Sequence, residues 1–94
     1  MNKNKYNLKY TNKFSKDLKL IKKRGYNMKL LERIVEILIN KEKLPAKNKD
    51  FALKNKYLGY RECCITPDWL LVYKVIDKEL ILLSTETKTP SNLF

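Results

Sequence analysis

The 94-residue sequence predicts an α+β domain in which a helical hairpin packs on one face of a mainly antiparallel sheet. Three observations carry that expectation. Apolar residues recur at helical spacing between residues 14 and 38, and only Gly25-Tyr26-Asn27 separates the two stretches. From Tyr57 onward the pattern changes to short runs rich in β-branched and aromatic residues, divided by the turn pairs Pro67-Asp68 and Asp77-Lys78. The length accommodates a single domain, 1–94, with no internal repeat and no low-complexity linker.

Each element follows from its residues. In Lys5–Tyr10, Lys5, Asn7 and Lys9 alternate with Tyr6, Leu8 and Tyr10, the period of a half-buried strand. Thr11 or Asn12 can cap a first helix whose apolar stripe is Phe14, Leu18 and Ile21. Gly25 supplies the left-handed stop favoured just past a helix C-terminus. Asn27 caps a second helix with Leu31, Ile34, Val35 and Leu38 on its buried face, and Pro45 closes that region. Lys47–Lys56 reads as a polar, basic connector interrupted by Phe51-Ala52-Leu53. Tyr57–Ile65 is a strand, and Trp69–Ile76 is apolar enough for a central one. Glu79–Leu83 pairs back as the last strand, leaving Ser84–Phe94 as a polar tail, so the expected order is β-α-α-β-β-β.

Composition narrows the chemistry. Twenty-one Lys and Arg stand against ten Asp and Glu, for a net charge of +11, and there is no histidine. Without histidine every Ser-His or Cys-His nucleophile pair and most metal-site designs are excluded. Neither a metal nor a cofactor is therefore expected. Cys63 and Cys64 are adjacent, a geometry in which a disulfide is strained, so reduced thiols in a cytoplasmic strand are expected. No secretory leader and no membrane-length apolar run is visible. The positive charge concentrates in residues 1–24, with nine bases against Asp17, and in residues 41–61, with seven against Glu42 and Asp50. Two basic segments meeting on one face would form an electrostatic footprint for a phosphate backbone. A lysine-rich solvated surface is the plainer alternative, since only Arg24, Arg33 and Arg61 among the 21 bases of the chain are arginines.

A more specific signal lies in Tyr60-Arg-Glu-Cys-Cys-Ile-Thr-Pro-Asp-Trp-Leu-Leu-Val-Tyr73, which resembles the YafQ branch of the RelE-like bacterial toxins. Phe14-Ser-Lys-Asp-Leu18, Asp50-Phe-Ala-Leu53, Gly59-Tyr-Arg-Glu62 and the terminal Ser91-Asn-Leu-Phe94 extend the resemblance, in order, over nearly the whole chain. The resemblance implies a RelE-like fold and a type II toxin: a ribosome-dependent mRNA endoribonuclease neutralised by a cognate acidic antitoxin, with ribosomal RNA as a further contact and no membrane partner. It also marks departures. At three positions where the branch carries histidine, this chain has Phe51, Cys64 and Pro90, and Lys88 stands where the branch has glycine.

RNA cleavage by attack of the 2′-hydroxyl needs a proton acceptor, a proton donor to the departing 5′-oxygen, and positive charge on the phosphoryl oxygens. Phe51 and Pro90 transfer no proton; Cys64 either does so as a thiol near lysines or fills space in a strand. Arg61 is the candidate phosphate clamp, or else pairs with an acid such as Glu62 or Asp68. Asp68 and Glu62 are the candidate proton-transfer groups, although Pro67-Asp68 is also an ordinary turn pair. Lys49, Lys54 and Lys56 join Arg61 as candidate RNA contacts, and Phe94 matches a terminal aromatic that either stacks on a base or pins the tail. Tyr60 and Trp69 are expected in the core. Two functions stay open at this level: an mRNA nuclease of reduced or altered activity, and a toxin-fold protein that binds RNA, ribosome or antitoxin without cutting. A general basic nucleic-acid-binding module is a third.

Overall fold

A computed structural model describes residues 5–87. The elements are β1 (Asn7–Tyr10), α1 (Asn12–Lys23), α2 (Met28–Ile39), β2 (Phe51–Ala52), β3 (Arg61–Thr66), β4 (Trp69–Ile76) and β5 (Glu79–Thr87), with 3₁₀ turns at Ala46–Asn48 and Asn55–Tyr57. They form one five-stranded sheet in the order β1-β5-β4-β3-β2. β1 runs parallel to β5 and every other neighbouring pair is antiparallel.

Local chemistry explains the helices. Thr11 caps α1, its hydroxyl accepting the Phe14 N–H at 3.0 Å while donating to the Leu83 carbonyl at 2.7 Å. One side chain thus starts the helix and ties it to the last strand. Gly25, at φ +85°, lets the chain leave α1 in the left-handed region. The Asn27 side chain accepts the Lys29 N–H at 3.0 Å and starts α2. Phe14 and Ile21 from α1 join Leu31, Ile34, Val35 and Leu38 from α2 in a single core with Trp69, Leu71, Tyr73, Leu80 and Leu82. The hairpin therefore lies on one face of the sheet, as its apolar stripes require.

Several expectations change. All four residues of β1 are exposed, Tyr10 at 63%, because a groove of about 380 Å³ stays open between this edge strand and the helices. α2 ends at Ile39, where Asn40 caps it and Lys41 turns at φ 61°; Pro45 precedes the first 3₁₀ turn instead of closing the helix. The basic connector contains β2, pairing with β3 through Phe51 opposite Glu62 and Ala52 opposite Arg61, so the sheet has one strand more than expected. β3 begins at Arg61, since Tyr57 completes a 3₁₀ turn and Gly59 turns the chain at φ +96°. Tyr60 is half-buried beneath Lys74, whose Nζ lies 4.9 Å from the ring centroid, so it is not core.

The largest difference is β5, which continues to Thr87 in place of a polar tail starting at Ser84. Partners within the sheet make this polar stretch a strand. Thr85, 1% exposed, accepts the Trp69 indole N–H at 2.8 Å and donates to the Leu70 carbonyl at 2.7 Å. Beyond the end of β1, α1 covers the edge of β5: the Asp17 carboxylate accepts the Thr85 backbone N–H at 3.1 Å, filling the role of a missing strand. Trp69 is fully buried, as expected.

Candidate functional site

Alternation along β3 sorts the candidate residues. Arg61, Cys63 and Ile65 point toward the helices, where Cys63 and Ile65 are buried, while Glu62, Cys64 and Thr66 point to the open face. The register carries this across the sheet. Phe51 lies opposite Glu62 and so shares the open face, with Val72 of β4 beside Glu62 and Leu70 beside Cys64. The two described positions at which the resemblance implies histidine, Phe51 and Cys64, thus flank Glu62 on one surface. A cleft of about 380 Å³ runs over this face from Tyr57 and Glu62, across Val72, to Lys13 and Glu86. Lys13 bridges Asp17 at 3.0 Å and Glu86 at 3.1 Å, and its ammonium pKa is raised mainly by the hydrogen bond to Asp17.

Arg61 occupies the other face. Its Nε donates to Asp50 Oδ1 at 2.9 Å, and the Tyr73 hydroxyl donates to Asp50 Oδ2 at 2.7 Å. The ion-pair partner is thus Asp50, not Glu62 or Asp68. Glu62 points to the opposite side of the strand, and Asp68 lies in the turn past its far end, more than roughly 16 Å along the strand at about 3.3 Å per residue. Partial burial opposes the charge on Arg61, but the Asp50 carboxylate outweighs it and raises the guanidinium pKa. Burial and the same carboxylate push the Tyr73 phenol up. Arg61 keeps 44% of its side chain exposed, so a firmly held cation presents part of its surface to solvent. With Lys43 and Lys49 it lines a smaller cleft of about 360 Å³. Lys49 adopts a left-handed conformation, φ 45°, at the end of its 3₁₀ turn.

Asp68 forms a separate cluster. Thr66 donates to its Oδ1 at 2.7 Å and Tyr26, from the loop between the helices, donates to Oδ2 at 2.9 Å. The Thr66 and Tyr26 hydroxyls hold the Asp68 carboxyl below the usual carboxylate range, so at neutral pH it is an ionised acceptor and not a proton donor. The Tyr26 ring meets buried Trp69 edge-on, with centroids 5.3 Å apart.

The remaining candidates are scattered. Lys54 and Lys56 are exposed in the connector, with Lys56 Nζ 5.3 Å from the Tyr57 ring centroid. Cys63 and Cys64 are both free thiols. Burial pushes Cys63 up to about 12, which makes it an inert core group, while Cys64 is half-buried on the open face. Among the described residues no cluster of three His, Cys, Asp or Glu side chains could hold a metal ion. Pro90 and Phe94 lie outside the described residues. The structure therefore gathers Phe51, Glu62 and Cys64 on the open face, turns Arg61 to the other face, and places Asp68 beyond the far end of β3, bonded to Thr66, which follows Cys64 on the open face. Sequence reasoning missed Tyr26, Tyr73 and Asn48, whose amide donates to the Cys64 carbonyl at 2.7 Å. Only the alternation that turns Tyr73 inward could have signalled one of them.

The comparisons with known proteins agree with this architecture. Residues 6–94 match the family described as bacterial toxin of type II toxin–antitoxin system, YafQ, which places the chain in the toxin class of those systems. Within that class it belongs to the YafQ family. The mRNA interferase toxin YafQ of Escherichia coli (strain B / BL21-DE3) is 41% identical over 88 residues, covering 93% of this chain and 94% of the relative. The crystal structure of YafQ from E. coli strain BL21(DE3) aligns with a TM-score of 0.82 at 40% identity, covering 95% of this chain and 98% of that one. YafQ in the crystal structure of the E. coli DinJ–YafQ complex aligns with a TM-score of 0.81 at 40% identity and the same coverage.

Proposed function

We propose that this chain is the toxin of a type II pair, held in check by an acidic antitoxin, and that it cleaves messenger RNA on the ribosome with reduced or altered activity. The observation that carries this reading is the meeting of Phe51, Glu62 and Cys64 on one open sheet face in a chain matching the YafQ family over residues 6–94. Lys54, Lys56 and the outer part of Arg61 supply positive charge for phosphate, and Glu62 or Asp68 the proton transfer. Asp68, being ionised, serves as acceptor or orienting group. Losing histidine acid–base catalysis costs about 10²–10⁴ in rate, so slow cleavage is the expected phenotype. The +11 charge suits the protein to polyanionic RNA and to an acidic antitoxin, and the cytoplasm is the compartment where these partners meet.

A second reading, binding without cleavage, draws support from the separation of Arg61 from Glu62 across the sheet. One experiment distinguishes the two. The unmodified chain and a Phe51→His, Cys64→His, Pro90→His variant are induced in a bacterial host, and a translated message is analysed by primer extension. Weak cleavage by the unmodified chain and stronger cleavage by the variant is the expected result. Silence from the unmodified chain with cleavage by the variant removes the active nuclease and leaves the binding-only reading, and silence from both removes the nuclease assignment.

A further inference from the structure

We propose that the cleft on the open sheet face is a nucleobase-reading site, which takes a base presenting an amino group and refuses uracil. The inference rests on the RNA-directed reading above but not on cleavage. Charge is the first argument. The protein is strongly basic, yet this cleft is lined by two carboxylates, Glu62 and Glu86, and by one lysine, Lys13, that is engaged with Glu86 and Asp17. Such a lining repels a phosphate, while the lysines that would hold phosphates, Lys54 and Lys56, sit outside it in the connector. A strand of RNA crossing this face therefore turns its base inward and its backbone outward, which leaves proton transfer to Asp68 and base reading to Glu62.

Shape and hydrogen bonding give the second argument. Val72, Leu53 and Leu83 provide apolar surface, and Tyr57, 46% exposed, offers a ring against which a base stacks. Phe51, 47% exposed and directly opposite Glu62, adds an aromatic face beside the cleft where the family resemblance leads one to expect histidine. The volume of about 380 Å³ is within the range of small-ligand sites. Among the described residues Glu62 makes no ion pair and no side-chain hydrogen bond, although it is half-buried. An ionised carboxylate only accepts. Adenine and cytosine offer one amino group to it, and guanine offers an N–H and an amino group side by side for its two oxygens. Uracil presents one N–H between two carbonyl oxygens, which the carboxylate repels. Guanine is the best match and uracil the worst.

The test is a nuclear magnetic resonance titration of the full, ¹⁵N-labelled chain with GMP, AMP, CMP and UMP, which share one phosphate group and differ in the base. The expected result is chemical-shift change centred on Tyr57, Glu62 and Val72, with GMP binding about tenfold more tightly than UMP. Glu62→Gln, whose amide both donates and accepts, reduces that ratio to within about twofold. Tyr57→Ala, at an exposed position where folding is preserved, weakens all four nucleotides alike and keeps their ranking. Equal affinities, a ranking that survives Glu62→Gln, or shifts confined to the basic connector would each overturn the inference. Equal affinities together with mRNA cleavage after induction remove the base reading alone. The expected GMP-over-UMP ranking in the natural chain, without mRNA cleavage after induction, removes the nuclease alone.

Discussion

Asp50 holds two partners at once, and its replacement by alanine tests whether that junction supports the fold. Tyr73 is 2% exposed and its hydroxyl donates to Asp50 Oδ2 at 2.7 Å, a charge-assisted bond worth about 1.5–3 kcal/mol. The Arg61–Asp50 contact is more exposed, at 44% and 25% of the side chains, and contributes only about 0.2–1 kcal/mol. Asp50→Ala therefore costs about 2–4 kcal/mol, most of it from stranding a buried hydroxyl. Tyr73→Phe removes that hydroxyl and costs about 1–2 kcal/mol by itself. In the double variant no donor is stranded, so it costs about 1–2 kcal/mol, less than Asp50→Ala alone, and leaves a coupling of about 2–3 kcal/mol. Urea unfolding of the four proteins at neutral pH, with a shared slope, measures the cycle. A loss below about 0.5 kcal/mol for Asp50→Ala, or additivity within about 0.5 kcal/mol, would refute the argument that Asp50 is the support on which Tyr73 and Arg61 are placed.

Three further outcomes are expected. The Tyr26–Asp68 bond needs an ionised carboxyl and a protonated phenol. The Asp68 pKa is lowered, so its stabilisation holds above its ordinary 3.8 and is lost as pH falls through the depressed value. The Tyr26 pKa is raised mainly by Asp68, so that contribution holds below its ordinary 10.0 and disappears as pH rises through the elevated value. The stability difference between the natural chain and Tyr26→Phe, followed through Trp69 fluorescence, should accordingly exist between those limits and close outside them; a difference independent of pH would contradict it. Thiol titration of the native protein should label Cys64 alone, with Cys63 reacting only in denaturant, because Cys63 is fully buried and pushed up to about 12; two equally fast thiols would contradict that placement. Lys54→Ala with Lys56→Ala should flatten the salt dependence of single-stranded RNA binding, changing the slope of log K against log[salt] by about 1.4; an unchanged slope would remove both lysines from the phosphate contacts.

Legibility in the sequence followed the range of the interactions. Thr11, Gly25 and Asn27 were readable because caps and left-handed stops are decided within three or four residues. The stripe of Leu31, Ile34, Val35 and Leu38 was readable because period alone selects the buried side. The far end of β5 was not, since Ser84–Thr87 is polar and becomes a strand only where Trp69, Leu70 and Asp17 satisfy it. β2 was hidden for the same reason: two residues acquire strand character from β3, nine or more positions away in the chain. At the candidate site, residue types and family resemblance pointed to Arg61, Glu62 and Asp68 together. Adjacent strand residues face opposite ways, however, and Asp68 sits beyond the other end of β3, so proximity in sequence misjudged proximity in space.

By itself the sequence determined the α+β class, the hairpin and its caps, the basic character, and the absence of histidine from a toxin-like pattern. Those properties depend on composition, period and short-range hydrogen bonds, all of which are local. Only the tertiary structure decided that Arg61 belongs to Asp50 and Tyr73, that Asp68 belongs to Thr66 and Tyr26, and that Phe51, Glu62 and Cys64 share the open face. Those assignments depend on which strands pair and in what register. A shift of one residue in strand pairing would turn Phe51, Arg61, Glu62, Cys64 and Tyr73 to the other side of the sheet.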